Sequence, residues 1–163
     1  MTRSAALGFA LIVAVTLVSA RDAVGQTVPQ TASGRMEARV LDRVNKARTD
    51  KGLAKLRADA RLSDVAREYS CRMARDDVFG HTSPTGGMLR DRVRAAGYNY
   101  AAAGENLAKT VNARYPIERA VQGWLKSEGH RNNIMSPEFT VTGVGVCHRE
   151  TTYYFTQIFL RPQ

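Results

Sequence analysis

Histidine and cysteine are scarce in this chain of 163 residues, with three and two copies respectively. No short metal-binding pattern such as C-x-x-C or H-E-x-x-H occurs, which excludes the commonest zinc motifs. Two cysteines are too few for a disulfide-rich scaffold, and the sequence contains no internal repeat and no low-complexity run. The chain must therefore be stabilised by an ordinary hydrophobic core.

Long apolar runs are absent except at the N-terminus. Residues 1–20 contain Arg3 and then AALGFALIVAVTLVSA, which ends in small residues. This pattern predicts a cleaved secretory signal peptide. An uncleaved membrane anchor is the alternative, although the run is short of the roughly 20 residues that a spanning helix needs. We therefore expect a secreted or periplasmic protein with no transmembrane segment in the mature chain.

Large apolar side chains are also scarce over residues 21–34, which we expect to form a flexible leader. Residues 35–163 then have the size of a single domain. In an oxidising compartment Cys71 and Cys147 can form one disulfide, although the sequence does not show whether their side chains meet. The alternative for Cys71 is a nucleophile paired with a histidine, which is disfavoured because a disulfide or a buried helix position accounts for this residue.

Acidic residues are outnumbered, with 15 against 24 basic residues and a formal net charge of +9. This balance favours anionic partners such as a cell-envelope polymer or acidic lipid. The basic residues are dispersed among acidic ones and do not alternate with aromatic residues, so we do not expect a nucleic-acid partner. The composition leaves the oligomeric state open.

Apolar spacing predicts helices first and strands last. Helical periodicity covers residues 35–52, residues 62–79 and the segment MLRDRVRAAG, and the clearest helix opens at Pro116 and closes at Gly129. The segment YNYAAAGENLAKT has no clear period and is predicted to be loop with a short strand. The segments FTVTGVGVCH and TTYYFTQIFL predict a hairpin of antiparallel strands. This order predicts an α+β domain whose helices pack on an antiparallel sheet.

The residues able to carry acid–base or metal chemistry are His81, Glu105, Glu128 and His130, with His148 a more distant candidate. Two imidazoles and one carboxylate suffice for a divalent metal with an open coordination position. They would also suffice for general acid–base chemistry near neutral pH. The gaps between these residues are long, so spacing alone leaves open that each histidine is an ordinary hydrogen-bonded structural residue.

Several blocks of the sequence resemble one known family. FGHTSP, GENLA, WLKSEGHRNNIM and YYFTQIF occur in the same order as in the CAP superfamily, which includes cysteine-rich secretory proteins, antigen 5 and pathogenesis-related proteins. The resemblance extends from Glu37 to Phe159. Within that superfamily, the chain most resembles the bacterial secreted members of the SCP-like type. It implies a three-layer α-β-α sandwich with an antiparallel sheet and a large open cleft.

The resemblance also implies a site. In that family a His/Glu tetrad lines the cleft, and in several members it binds a divalent metal, often zinc. Carried over residue by residue, His81, Glu105 and His130 match three members of the tetrad, as metal ligands or as catalytic groups. The resemblance thus implies that the two histidines, far apart in the sequence, share one cleft.

The fourth tetrad position departs from the pattern of many animal and plant members. The second glutamate there lies three residues after the helix tryptophan, and this chain has Ser127 at that position. Glu128 follows, but one helical residue turns a side chain by about 100°. We expect Ser127 to face the cleft behind the ligands or bound to water, and Glu128 to replace it only if the helix unwinds at Gly129.

Three functions of different classes stay open from the sequence. The favoured one is a secreted CAP-domain protein whose His/Glu cleft binds a divalent metal, with an extracellular or envelope-associated binding role and possible hydrolytic activity. The second is a lipid- or sterol-binding module that uses an apolar groove. The third is a basic, envelope-adhesive structural protein without catalysis. Whether the protein is an enzyme stays undecided at this stage.

Overall fold

The computed structural model describes residues 31–83, 85 and 87–163. The predicted signal peptide and most of the predicted leader lie outside the described residues. The elements follow in the order α1 (Ala32–Thr49), β1 (Arg57–Ala58), α2 (Ala60–Asp76), α3 (Leu89–Ala95), β2 (Tyr100–Val111), α4 (Pro116–Lys126), α5 (Glu128–Met135), β3 (Val141–Arg149) and β4 (Thr152–Pro162). In this part of the chain no helix combines the length and apolar character needed to cross a membrane.

The strands form one sheet in the order β1-β3-β4-β2. The predicted hairpin of β3 and β4 is confirmed, and β2 pairs antiparallel with β4. The expectation of a purely antiparallel sheet is wrong for one strand, because β1 runs parallel to β3, with Arg57 opposite Val141. A parallel pair needs a long crossover, and the chain between β1 and β3 supplies one.

Helices cover both faces of the sheet, as the side chains of β4 show by their alternation. Phe155 and Phe159 pack with Trp124 in a cluster that includes residues of α1, α4 and α5. Tyr154 and Ile158 face the other way, toward clusters that include residues of α2. The α+β class and the three-layer α-β-α arrangement are confirmed.

Two glycines of β3 bring α2 unusually close to the sheet. A Cβ atom at Gly143 would lie 2.3 Å from the backbone carbon of Leu62, and one at Gly145 would lie 2.1 Å from the backbone nitrogen of Arg67. The Cys71–Cys147 disulfide joins the same two elements, with 4.9 Å between the Cα atoms, so the expected bridge is confirmed. The helix that leads to the His81 loop is therefore fixed both by packing and by a covalent bond.

Two boundaries differ from the expectation. The helix that opens at Pro116 ends at Lys126, and after Ser127, which has φ −88° and ψ 125°, a second helix begins. Gly129 lies inside this second helix and does not end the first one. Residues 100–111 form a twelve-residue strand where a loop with a short strand was expected, because β4 offers a backbone partner along nearly its whole length.

Side chains cover the outer edge of β3 beyond the short β1. Glu37 of α1 accepts a hydrogen bond from the backbone N–H of Val146 at 3.1 Å, and the Ser63 hydroxyl accepts one from that of Val144 at 3.3 Å. Glu37 also binds Arg67 of α2 through both carboxylate oxygens, at 2.8 and 2.7 Å. This partly buried ion pair joins α1 to α2 around the edge of the sheet.

Candidate functional site

His81 lies in the loop that follows α2, and its side chain is about half exposed, at 55%. The Tyr69 hydroxyl donates a hydrogen bond to the Gly80 carbonyl at 2.5 Å, which fixes the start of this loop against α2. His81 Nδ1 lies 2.8 Å from Glu105 Oε1. A carboxylate oxygen accepts hydrogen bonds, so Nδ1 is the donor in this pair, and in the neutral tautomer that this bond favours Nε2 has the free lone pair.

Glu105 extends from β2 on the α2 side, and its side chain is 2% exposed. Its second oxygen, Oε2, accepts a hydrogen bond from Arg92 Nη2 of α3. Arg92 lies flat on Tyr69, with its Cζ 3.5 Å from the ring centre. Arg92 Nη1 also donates to the carbonyls of His81 and Gly87, at 3.3 and 3.4 Å. Both oxygens of the buried carboxylate are therefore engaged within the protein.

Arg92 is a site residue that the sequence analysis missed. It lies in the helix LRDRVRA among other arginines, a pattern typical of a solvated helix face. Only 13% of its side chain is exposed, because it fills the space between Tyr69 and Glu105. The sequence offers only the carboxylate of Glu105 within GENLA, and its need for a compensating charge becomes evident once its burial is known.

The GEN segment of β2 connects the His81–Glu105 pair to α5. This helix packs on the opposite face of the same edge strand. A Cβ atom at Gly104 would lie 2.8 Å from Asn133 Oδ1, so a larger residue there would force the Asn133 side chain to move. Asn106 Nδ2 donates to the His130 carbonyl at 3.0 Å, and Asn133 Nδ2 donates to Asn106 Oδ1 at 2.9 Å. These bonds set the position of the His130 backbone relative to Glu105.

His130 is half buried and lies close enough to His81 to respond to its charge. The pKa of His130 is lowered from its ordinary value, first by burial and second by the positive charge that His81 can carry. The structure thus brings the two histidines and Glu105 to the same edge of the sheet. His130 is held there in its neutral form, the form that can bind a metal or accept a proton.

Arg48 anchors the far end of α5 from inside the core. It is 2% exposed, and its Nη1 donates to the carbonyls of Ile134 and Ser136, at 2.6 and 2.9 Å. Its Nε donates to the Ala54 carbonyl at 2.8 Å. Burial lowers the pKa of this guanidinium. The helix that carries His130 is therefore held at one end by Arg48 and at the other by Asn106.

The remaining candidate residues differ in their exposure and in the element that carries them. Ser127 is half buried between α4 and α5, and Glu128 is exposed at the first position of α5. His148 lies on the exposed end of the β3–β4 hairpin, with its ring tilted by 32° against that of Tyr153 at 5.3 Å between ring centres. Within residues 31–83, 85 and 87–163, no three His, Cys, Asp or Glu side chains form a group that could hold a metal ion.

A known protein family matches most of the described chain. The family model described as CAP: Cysteine-rich secretory protein family matches residues 41–159. The chain belongs to the CAP family. It is 40% identical over 124 residues to the uncharacterized protein YkwD of Bacillus subtilis, a match that covers 76% of this chain and 46% of YkwD. It is 37% identical over 125 residues to the uncharacterized membrane protein YlbC of the same species, covering 77% of this chain and 34% of YlbC.

This CAP chain is also similar to a solved structure, an extracellular protein containing a SCP domain from Bacillus anthracis. The TM-score is 0.68 and the identity 35%, over 79% of this chain and 41% of that one. The CAP chain spans less than half the length of each of these relatives. The match supports the fold and the family along most of the domain.

Proposed function

We propose that this CAP chain is an exported binding protein whose cleft holds a divalent metal ion through His81 and His130. The observation that carries the proposal is the hydrogen bond from His81 Nδ1 to the buried Glu105, at 2.8 Å. A carboxylate on one imidazole nitrogen orients the ring and raises the basicity of the other nitrogen, as it does behind many metal-bound histidines. Nε2 of His81 is thereby prepared as a ligand.

The residues fit a metal in one particular way. Burial lowers the pKa of His130, which favours its neutral form, and a neutral imidazole is the form that binds metal. Glu105 fits better as the group that orients His81 than as a direct ligand, since its oxygens already bind His81 and Arg92. Ser127 replaces a carboxylate of the family tetrad, which leaves a coordination position for water.

The chemistry of such a site would be modest. A bound divalent metal supplies a Lewis acid and lowers the pKa of a bound water molecule. The chain itself contributes the fixed orientation of His81 and the ion pair between Arg92 and Glu105. Two protein nitrogens are fewer than the three protein ligands of typical catalytic zinc sites, so we propose binding as the main role and hydrolysis as secondary.

Export and charge indicate where the protein acts. The N-terminal sequence is typical of a secretory signal, the chain carries a disulfide, and a similar SCP-domain protein is extracellular. The net charge of +9 favours contact with anionic polymer or lipid outside the membrane. We propose that the protein works in the envelope or beyond it.

Calorimetric zinc titration of the metal-stripped protein tests the site. Zinc should bind with a dissociation constant of roughly micromolar order, and binding should be lost in both His81→Ala and His130→Ala. His148→Ala is the matched control, because this histidine is exposed on the hairpin, and it should bind zinc like the wild type. Equal binding by all four proteins, or none by the wild type, would overturn the proposal and turn attention to lipid binding.

Glu105→Gln separates an orienting group from a ligand. A glutamine can still accept the His81 hydrogen bond but carries no charge, so zinc affinity should fall by about 10–100-fold. Complete loss of binding, with the same folded spectrum as the wild type, would instead assign Glu105 as a direct ligand, as the family resemblance implies.

A further inference from the structure

The two histidines of the proposed metal site are held in different ways. The ring of His81 is oriented by its hydrogen bond to Glu105, at 2.8 Å. Within the described ranges the ring of His130 has no hydrogen-bond partner, whereas the backbone carbonyl of this residue accepts a bond from Asn106 of β2 at 3.0 Å. The position of the His130 ring therefore depends on how α5 is attached to the edge strand.

Asn133 joins α5 to the strand that carries Glu105. It lies three residues after His130, so the two side chains leave the same side of the helix. Its Nδ2 donates to Asn106 Oδ1 at 2.9 Å and to the Glu105 carbonyl at 3.3 Å. One amide thus contacts both the backbone of the residue that orients His81 and the side chain that holds the His130 carbonyl.

The surroundings of the Asn133 amide leave it little freedom. Gly104 gives it room, because a Cβ atom there would lie 2.8 Å from Asn133 Oδ1 and 3.1 Å from Cγ. Asn106 is fully buried, so its amide oxygen would lose its donor without compensation by water if Asn133 were removed. The contact between these two asparagines is therefore a specific one, and its loss would loosen the bond to the His130 carbonyl.

We infer that Asn133 is a positioning residue for His130, which acts through Asn106 and thereby sets the affinity of the site for a metal ion. The second part of this inference rests on the proposed function. A metal ion binds more tightly when its ligands already have the required separation, because binding then demands less ordering of the protein. Asn133 provides that order for the histidine whose ring has no partner of its own.

Zinc titration of Asn133→Ala tests the effect on metal affinity. The variant should bind zinc about tenfold more weakly than the wild type, at the lower end of the range for groups that orient metal ligands. Asn132→Ala is the matched control, because Asn132 is exposed on the same helix, and its zinc affinity should equal that of the wild type. Unchanged zinc affinity in Asn133→Ala would overturn the inference.

A second control separates positioning from a general loss of stability. Asn45 of α1 exchanges two hydrogen bonds with the backbone of Leu56, at 2.8 and 3.1 Å, beside β1 at the opposite edge of the sheet. Asn45→Ala should therefore lower the free energy of unfolding and leave zinc affinity unchanged. An equal loss of zinc affinity in Asn45→Ala and Asn133→Ala would reduce the role of Asn133 to a structural one and overturn the inference.

Hydrogen exchange in the metal-free protein distinguishes failure of this inference from failure of the metal proposal. The side-chain amide protons of Asn106, followed by NMR, should exchange at least about tenfold faster in Asn133→Ala than in the wild type, and at the wild-type rate in Asn132→Ala. Equal protection in all three proteins would overturn the inference whether or not zinc binds. The expected change in exchange, in a wild type that binds no zinc, would overturn the metal proposal and still support the positioning of His130.

Discussion

Arg92 balances the negative charge of Glu105 before any ligand binds, and this single contact changes how the site works. Without a nearby cation, a buried carboxylate would have a raised pKa or would bind a metal ion. Here Arg92 supplies the compensating positive charge, and the carboxylate of Glu105 orients His81. The family resemblance implied His81, Glu105 and His130 as site residues, and the fold brings them to one edge of the sheet; Arg92 could not be predicted, because its burial depends on how α3 packs over Tyr69.

At the residue scale the first prediction concerns the titration of His130 in the metal-free protein. Its pKa should lie below the ordinary 6.5, because burial disfavours the charged ring first and a positive His81 second. In His81→Ala only the second cause is removed, so the pKa should rise but stay below 6.5. The imidazole Cε1–H signal followed by NMR against pH measures both.

The same shift has a consequence for stability. The unfolded chain binds this proton more readily than the folded one, so the contribution of His130 is fully present above about pH 6.5. It is lost as the pH falls through the lowered folded-state pKa.

The His148 signal is the control for the NMR titration and should not respond to His81→Ala. A His130 midpoint at or above 6.5 in the wild type would contradict the burial described here.

At the element scale the contact between α2 and β3 depends on glycine. Gly145→Ala would place a methyl group 2.1 Å from the backbone of α2, so the helix must move away from the sheet. We expect the free energy of unfolding to fall by about 3 kcal/mol. Urea denaturation followed by the fluorescence of the buried Trp124 is the measurement.

Gly123→Ala is the matched control for that substitution. Gly123 lies in α4, and apart from the neighbouring residues and backbone of α4 itself, no described atom lies within 4 Å of the position a Cβ would take. The substitution should leave stability unchanged or raise it by up to about 1 kcal/mol, because alanine favours helix. Equal effects at both glycines would argue against the close contact between α2 and β3.

The elements that could be predicted are those whose signals are local. Pro116 and the apolar spacing up to Leu125 predict α4, and the Val- and Tyr-rich segments predict the hairpin. Strand β2 could not be predicted from its alanines, glycine and asparagine, since its stability comes from pairing with β4. The break at Ser127 likewise follows from α5 packing on β2 and not from a helix-ending residue.

At the scale of the whole molecule the disulfide closes a loop of 76 residues between α2 and β3. Replacing both Cys71 and Cys147 with serine should lower the free energy of unfolding by about 4 kcal/mol, chiefly because the unfolded chain gains freedom. Urea denaturation of the oxidised wild type and the double variant measures the difference. A reducing agent should destabilise the wild type and leave the variant unchanged; a loss below roughly 1 kcal/mol would contradict the prediction.

The covering of β3 by Glu37 and Ser63 has a further consequence for how copies of this chain can meet. Exposed strand edges are the usual starting points for fibril-like growth. On this edge the amides of Val144 and Val146 already have acceptors, so an incoming strand would first have to break the Glu37–Arg67 ion pair. Aggregation through β3 therefore requires Glu37 of α1 and Ser63 of α2 to leave these amides, so the packing of both helices protects this edge of the sheet.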